Sequence, residues 1–246
     1  MKRAITLLAV VAIGLSVARL SAHGQASALP TVDQILEKYI TAVGGREAME
    51  KVTSRVSTGT FEVPDMGMTG NITISEKAPN KSLAVIELGG IGVVREGSDG
   101  VSAWQEQPGQ AAQDKTGAEL AEALRGSVFN AELKYKTIYK TVVVTGKEVI
   151  DGKEAYVLVA TPAEGSPNKI FFDVASGLMV RQSSTRQTQQ GPLDVDVYVS
   201  DYRPVDGVKV PFSIRQVSAI ISAVVRLSTV KQNVALDDAI FKKPGF

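Results

Sequence analysis

Three pairs of carboxylates stand close enough along the chain to suggest acid–base chemistry: Glu47 with Glu50, Asp194 with Asp196, and Asp237 with Asp238. A pair of this kind could serve a glycosidase, one group protonating the leaving oxygen while its partner attacks or activates water. The alternation in "DVD" argues otherwise for the second pair, because it marks the wet face of a strand. The other two pairs read as solvated surface. No calcium-loop pattern accompanies them. The chain has no Cys and a single His, His23. Thiol nucleophiles, Cys-ligated zinc and iron–sulfur clusters are excluded together. His23 lies in or beside a leader, so Ser-His-Asp catalysis and His-ligated metals fall away as well. No catalytic residue, metal or cofactor is expected.

The remaining singular residues are apolar. Met66 and Met68 in "PDMGMTG" carry flexible, polarisable side chains suited to an adaptable surface. They fit an adaptable apolar rim and equally a turn with core filler. "LGGIGVVREG" is no phosphate loop, since the Gly-Lys-Ser/Thr ending and a following helix are missing. It reads as an apolar edge loop. Trp104, the single Trp, either lines a cavity or packs in a sheet.

The N-terminus explains the position of His23. Lys2 and Arg3 precede an apolar run from Ala4 to Val17, followed by small residues ending in "ASA" at Ala28. This is the layout of a secretory signal peptide, and the run is shorter than the ~20 residues a membrane span needs. The expected division is a signal peptide over 1–28 and one domain over 29–246. Removing Lys2, Arg3 and Arg19 leaves 24 of the 27 basic residues against 26 acidic ones, a net charge of −2. No basic block remains to attract nucleic acid or anionic lipid.

Two kinds of element must carry the apolar residues. "LPTVDQILEKYITAVGG" predicts a helix, with Thr31 and Gln34 as a capping box, Ile35, Leu36 and Tyr39 on its apolar face, and a Gly-Gly stop. A short helix near 46–51 follows. From Ser54 the pattern becomes short β-branched runs separated by Gly, Pro, Asn or Asp, with Asp-Gly hairpin turns in "EGSDG" and "EVIDGKEAYVLVA". One helical interval, "TGAELAEALRGSVFNAEL", places Leu120 and Leu124 on one side and either continues past Gly126 or breaks there. Strands resume from Lys136 to Val144 and onward. The "DVDVYVSDYRPVDGVKVPFSI" stretch is a hairpin whose alternation builds a surface. The order is helix, about five strands, helix, about six strands. Tight turns make the strands antiparallel neighbours. The expected fold is mainly β, a curved antiparallel sheet forming an incomplete barrel with helices over its concave face.

"KAPNK" between two strands, "SDGVSAWQEQP" with Asp-Gly four residues before the Trp, the hairpin above and a closing "LDDAIFKKP" follow a leading helix. In this order they resemble the periplasmic outer-membrane lipoprotein-sorting proteins, the LolA/LolB-like superfamily. The resemblance implies a half-barrel with helices over its open face and an apolar cavity between, which typical members use to shield acyl chains. Ala78 stands where the typical carrier has an Arg that holds its helical lid. The implied ligand is a lipid or an acylated protein, sequestered without catalysis and passed on by a membrane-bound donor or acceptor. The alternative is a scaffold that uses the same half-barrel to meet a protein partner. A monomer is expected. The residues assigned to the cavity are Met66, Met68, Ile72, Ile74, Trp104, Val195, Val197, Phe212 and Ile214. Those assigned to the lid are Ile35, Leu36, Tyr39, Leu120 and Leu124.

Overall fold

The computed structural model describes residues 28–188 and 191–245. The predicted leader lies outside them except for Ala28. The first helix, α1, spans Val32–Val43 and opens on the expected capping box. Thr31 Oγ1 accepts from the Gln34 N–H at 3.2 Å, and Gln34 Oε1 accepts from the Thr31 N–H at 2.8 Å. Such a cap is worth about 1 kcal/mol. Gly44 ends the helix at φ 130°, and a Cβ there would collide with the Gly207 carbonyl. A short α2, Arg46–Glu50, follows.

Among the described residues, thirteen strands then form one antiparallel sheet. The first group is β1 (Ser54–Val63), β2 (Met68–Lys77), β3 (Lys81–Leu88), β4 (Gly92–Ser98), β5 (Ala103–Glu106) and β6 (Gln113–Asp114). The helical interval follows as α3 (Gly117–Gly126), a 3-10 turn (Ala131–Leu133) and α4 (Tyr135–Ile138). The second group is β7 (Thr141–Ile150), β8 (Lys153–Thr161), β9 (Asn168–Asp173), β10 (Met179–Thr188), β11 (Gly191–Val205), β12 (Val208–Ser218) and β13 (Ser222–Gln232). Of the two alternatives open for the interval, the helix ends at Gly126. One prediction needs correction: residues 136–138 belong to α4 rather than to a strand. Tyr135 and Tyr139, with ring centroids 5.7 Å apart and both in the core beside α1, hold that turn helical.

Sequential hairpins order each group, and β1 pairs with β13 to join the two groups. The edges β6 and β7 stay apart, so the barrel is incomplete. Helix α1 packs its buried Ile35, Leu36, Tyr39, Ile40 and Val43 with Leu158, Ile170 and Phe172 of β8 and β9. Tyr39 meets Phe172 edge-on at 5.4 Å, an arrangement worth about 1 kcal/mol beyond its burial.

Directly paired residues of antiparallel strands share a face. The face that carries α1 and Phe129 is therefore the inner face. Alternate hairpin turns of the meander also lie at the same end. One end holds the turns at 78–80, 151–152, 174–178 and 206–207, and the helical segments close it. Lys38 Nζ donates to the Val174 carbonyl at 2.6 Å, Phe129 N–H to the Pro79 carbonyl at 3.0 Å, and Asn130 Nδ2 to the Met49 carbonyl at 2.8 Å. The opposite end holds the turns at 64–67, 89–91 and 219–221.

Candidate functional site

Away from the closed end, the inner face of β1–β4 and β11–β13 is mostly apolar, interrupted by Glu96 and Gln216. Ile72 pairs with Gly59 and Ile86, Ile86 with Val94, Phe61 with Val225, Val225 with Ile214, and Ile214 with Val199. Ile72 and Val199 are buried, whereas Phe61, Ile74, Ile86, Val94, Val197, Ile214 and Val225 are only half-buried. Helix α3 spans the gap, touching β5 on one side and β10 on the other. Arg125 Nη1 donates to the Glu164 carbonyl at 3.0 Å, and Arg186 pairs with Glu122 at 3.3 Å. No residue of α3 is buried, and Leu120 and Leu124 are half-covered. A helix with an apolar stripe normally buries it.

The sequence-assigned residues divide by register. Ile72, Ile74, Val195, Val197, Ile214 and Phe212 lie on the inner face, with Met68 at its open end opposite Val63. Met66 lies beyond the strands, in the exposed turn. Trp104 lies on the other face. It pairs with Gly97, where a Cβ would meet the indole at 2.6 Å, and its Nε1–H donates to the Phe241 carbonyl at 3.0 Å. The C-terminal segment covers it there, so Trp104 does not line the inner surface. Ile35, Leu36 and Tyr39 plug the closed end, and Leu120 and Leu124 belong to the helix across the gap. Phe61, Ile86, Val94 and Val225 complete the surface without having been assigned. Their strand alternation was visible, but their pairing partners were not.

The closed end carries a polar cluster. Arg55 of β1 pairs with Glu76 of β2 at 3.4 Å and lies 5.4 Å from the Phe129 ring. Opposite it on β13, Gln232 is buried, and neither side-chain amide atom has a partner among the described residues. The same holds for Arg55 Nε. Tyr39 Oη donates to Glu132 at 3.5 Å, and Tyr202 Oη donates to the Met179 carbonyl at 2.9 Å. Burial pushes the Glu132 carboxyl above its usual range and raises the Tyr39 and Tyr135 hydroxyls well above theirs. No group of three or more potential metal ligands occurs among the described residues.

The open end is apolar at its tips. Met66, Ile91 and Ile220 are 56%, 50% and 67% exposed, one in each of three neighbouring turns. A shallow groove of about 800 Å³ at these tips faces outward and is lined by Thr60, Glu62, Thr69, Asn71 and Glu87 together with Leu88, Ile91 and Val93. No described helix is long and apolar enough to cross a membrane.

No protein-family model and no curated protein sequence matches the chain. Solved structures do. The LolA superfamily protein NE2245 from Nitrosomonas europaea is 17% identical with a TM-score of 0.57, over 87% of this chain and 99% of its own. A DUF1329 family protein from Desulfovibrio piger is 16% identical with a TM-score of 0.58, over 86% and 97%. A putative outer membrane lipoprotein-sorting protein domain from Vibrio parahaemolyticus is 13% identical with a TM-score of 0.58, over 85% and 95%. At these identities the likeness shows the fold, and the chain has a LolA-like fold.

Proposed function

We propose that the protein is an exported carrier that sequesters the acyl chain of a lipid or lipoprotein on its inner face, without catalysis. One observation carries this reading: a broad, mostly apolar inner surface is only half-buried beneath a helix whose own Leu120 and Leu124 are half-buried. Soluble proteins seldom leave such a surface without a partner. Sequestering a chain requires only apolar area, about 0.8 kcal/mol per methylene. The exposed tips Met66, Ile91 and Ile220 stand at the open end of that surface. A carrier resting these tips among lipid headgroups moves its cargo without passing it through water. Export follows from the leader, and the domain comprises residues 29–246. The lipoprotein-sorting domain among the structural neighbours supports the same class of cargo.

Native mass spectrometry of protein purified from an exporting host without detergent tests the proposal. A bound mass that fragments to acyl chains supports it and identifies the cargo. A ligand-free mass that stays unchanged after incubation with lipids and an acylated peptide overturns it.

A further inference from the structure

The carrier reading leaves one feature of the inner face without a role. Arg55 and Gln232 are paired residues of adjacent strands at the closed end, beneath Phe129. Gln232 is 9% exposed, and its Nε2 and Oε1 have no hydrogen-bond partner among the described residues. Arg55 Nε also lacks one, because the guanidinium meets Glu76 through Nη1 alone, at 3.4 Å. Buried donors left unpaired are destabilising and rare in folded proteins. Here two of them lie side by side on the surface proposed to hold the ligand.

Resting on that proposal, we infer that Arg55 and Gln232 form a polar subsite for an uncharged acceptor oxygen of the ligand, the ester or amide carbonyl of a long acyl chain. Both residues offer N–H donors. The Arg55–Glu76 pair is already electrically balanced, and Glu132 lies close by. An anionic headgroup would add an uncompensated charge in a poorly solvated place, whereas a carbonyl takes the donors and adds none. Ile74, the next inner-face residue of β2 after Glu76, continues the apolar wall toward the open end. From Met68 at that end to Glu76, β2 spans about 27 Å, the scale of a long acyl chain. Phe129, packed against Arg55 and held by its N–H to the Pro79 carbonyl, must swing its ring aside to admit the group.

The test compares methyl palmitate, octadecane and palmitate, delivered from cyclodextrin, in displacing a solvatochromic apolar dye. With the wild-type protein, methyl palmitate displaces the dye at about tenfold lower concentration than octadecane, the effect of one buried hydrogen bond to a charged donor. Gln232→Leu removes two unpaired amide atoms at nearly constant volume, so the fold survives, and the ratio falls toward one. Arg55→Lys keeps the charge opposite Glu76 but removes the Nε donor, and lowers the ratio likewise. Equal displacement by ester and alkane in the wild type overturns the subsite while leaving the carrier intact. So does a ratio that Gln232→Leu leaves unchanged. Palmitate displacing more strongly than its methyl ester overturns the assignment to an uncharged oxygen. If no probe displaces the dye, the carrier reading itself fails.

Discussion

Trp104 and Phe241, 137 residues apart, are joined by a 3.0 Å hydrogen bond from the indole N–H to the Phe241 carbonyl, and both side chains are fully buried. The C-terminal segment is thus a strap over the outer face of β4 and β5. Phe241→Ala opens a cavity beside the indole and is expected to cost about 3–5 kcal/mol. Denaturant unfolding measures the loss, and the tryptophan emission moves to the red. Ligands bound on the inner face leave that emission unchanged, since the sheet lies between.

The strap is also held by charge. Asp238 accepts from Lys77 at 2.8 Å and from Lys81. Hydrogen bonds from these two lysines lower its carboxyl to about 2. A depressed carboxyl contributes stability above its unfolded value of about 4, and this is lost as pH falls toward 2. Hydrogen exchange in residues 236–241 is expected to accelerate across that window. Asp238→Asn shows the faster exchange already at neutral pH.

Glu132 titrates in the opposite sense. Burial raises its carboxyl, and Glu76 pushes the same way while Arg55 opposes them. A raised carboxyl binds its proton more tightly in the folded state. Its favourable contribution is complete below the unfolded value of about 4 and disappears as pH climbs through the raised one. The melting temperature should therefore fall over that interval. Glu132→Gln flattens the decline and melts higher than wild type at neutral pH, as thermal unfolding across pH will show.

The open-end tips should separate membrane contact from stability. Replacing Met66, Ile91 and Ile220 together by Ser changes exposed positions, each by no more than about 0.5 kcal/mol in folding. Co-sedimentation with zwitterionic vesicles is expected to be lost while the melting temperature holds. Retained sedimentation would remove the tips from the proposed mechanism.

Local chemistry made much of this molecule legible before its structure. Thr31 and Gln34 announced the start of α1, and the Asp-Gly pairs at 151–152 and 206–207 located two hairpins. Alternation in 193–199 identified one apolar face of β11. It could not say which face looks inward. That depends on pairings such as Ile72 with Ile86 and Gly97 with Trp104, made only when the sheet assembles. Trp104 was misplaced for this reason. The polar cluster was hidden for another. Arg55, Gln232 and Glu132 look like solvated residues of ordinary strands and turns, and only the arrival of α1, Phe129 and β13 buries them. Residues 136–138 read as strand because the tyrosine packing that makes them helical is tertiary.

The meander has its seam in the middle. Ser228 Oγ donates to the Thr58 carbonyl across a sequence separation of 170 residues, so β1, already paired with β2, cannot find its second neighbour until β13 has been made. Such distant pairing imposes a large loop-closure cost before any contact repays it, and chains of this kind fold slowly. The two half-sheets can form from local hairpins, while the joint between them waits for the whole chain.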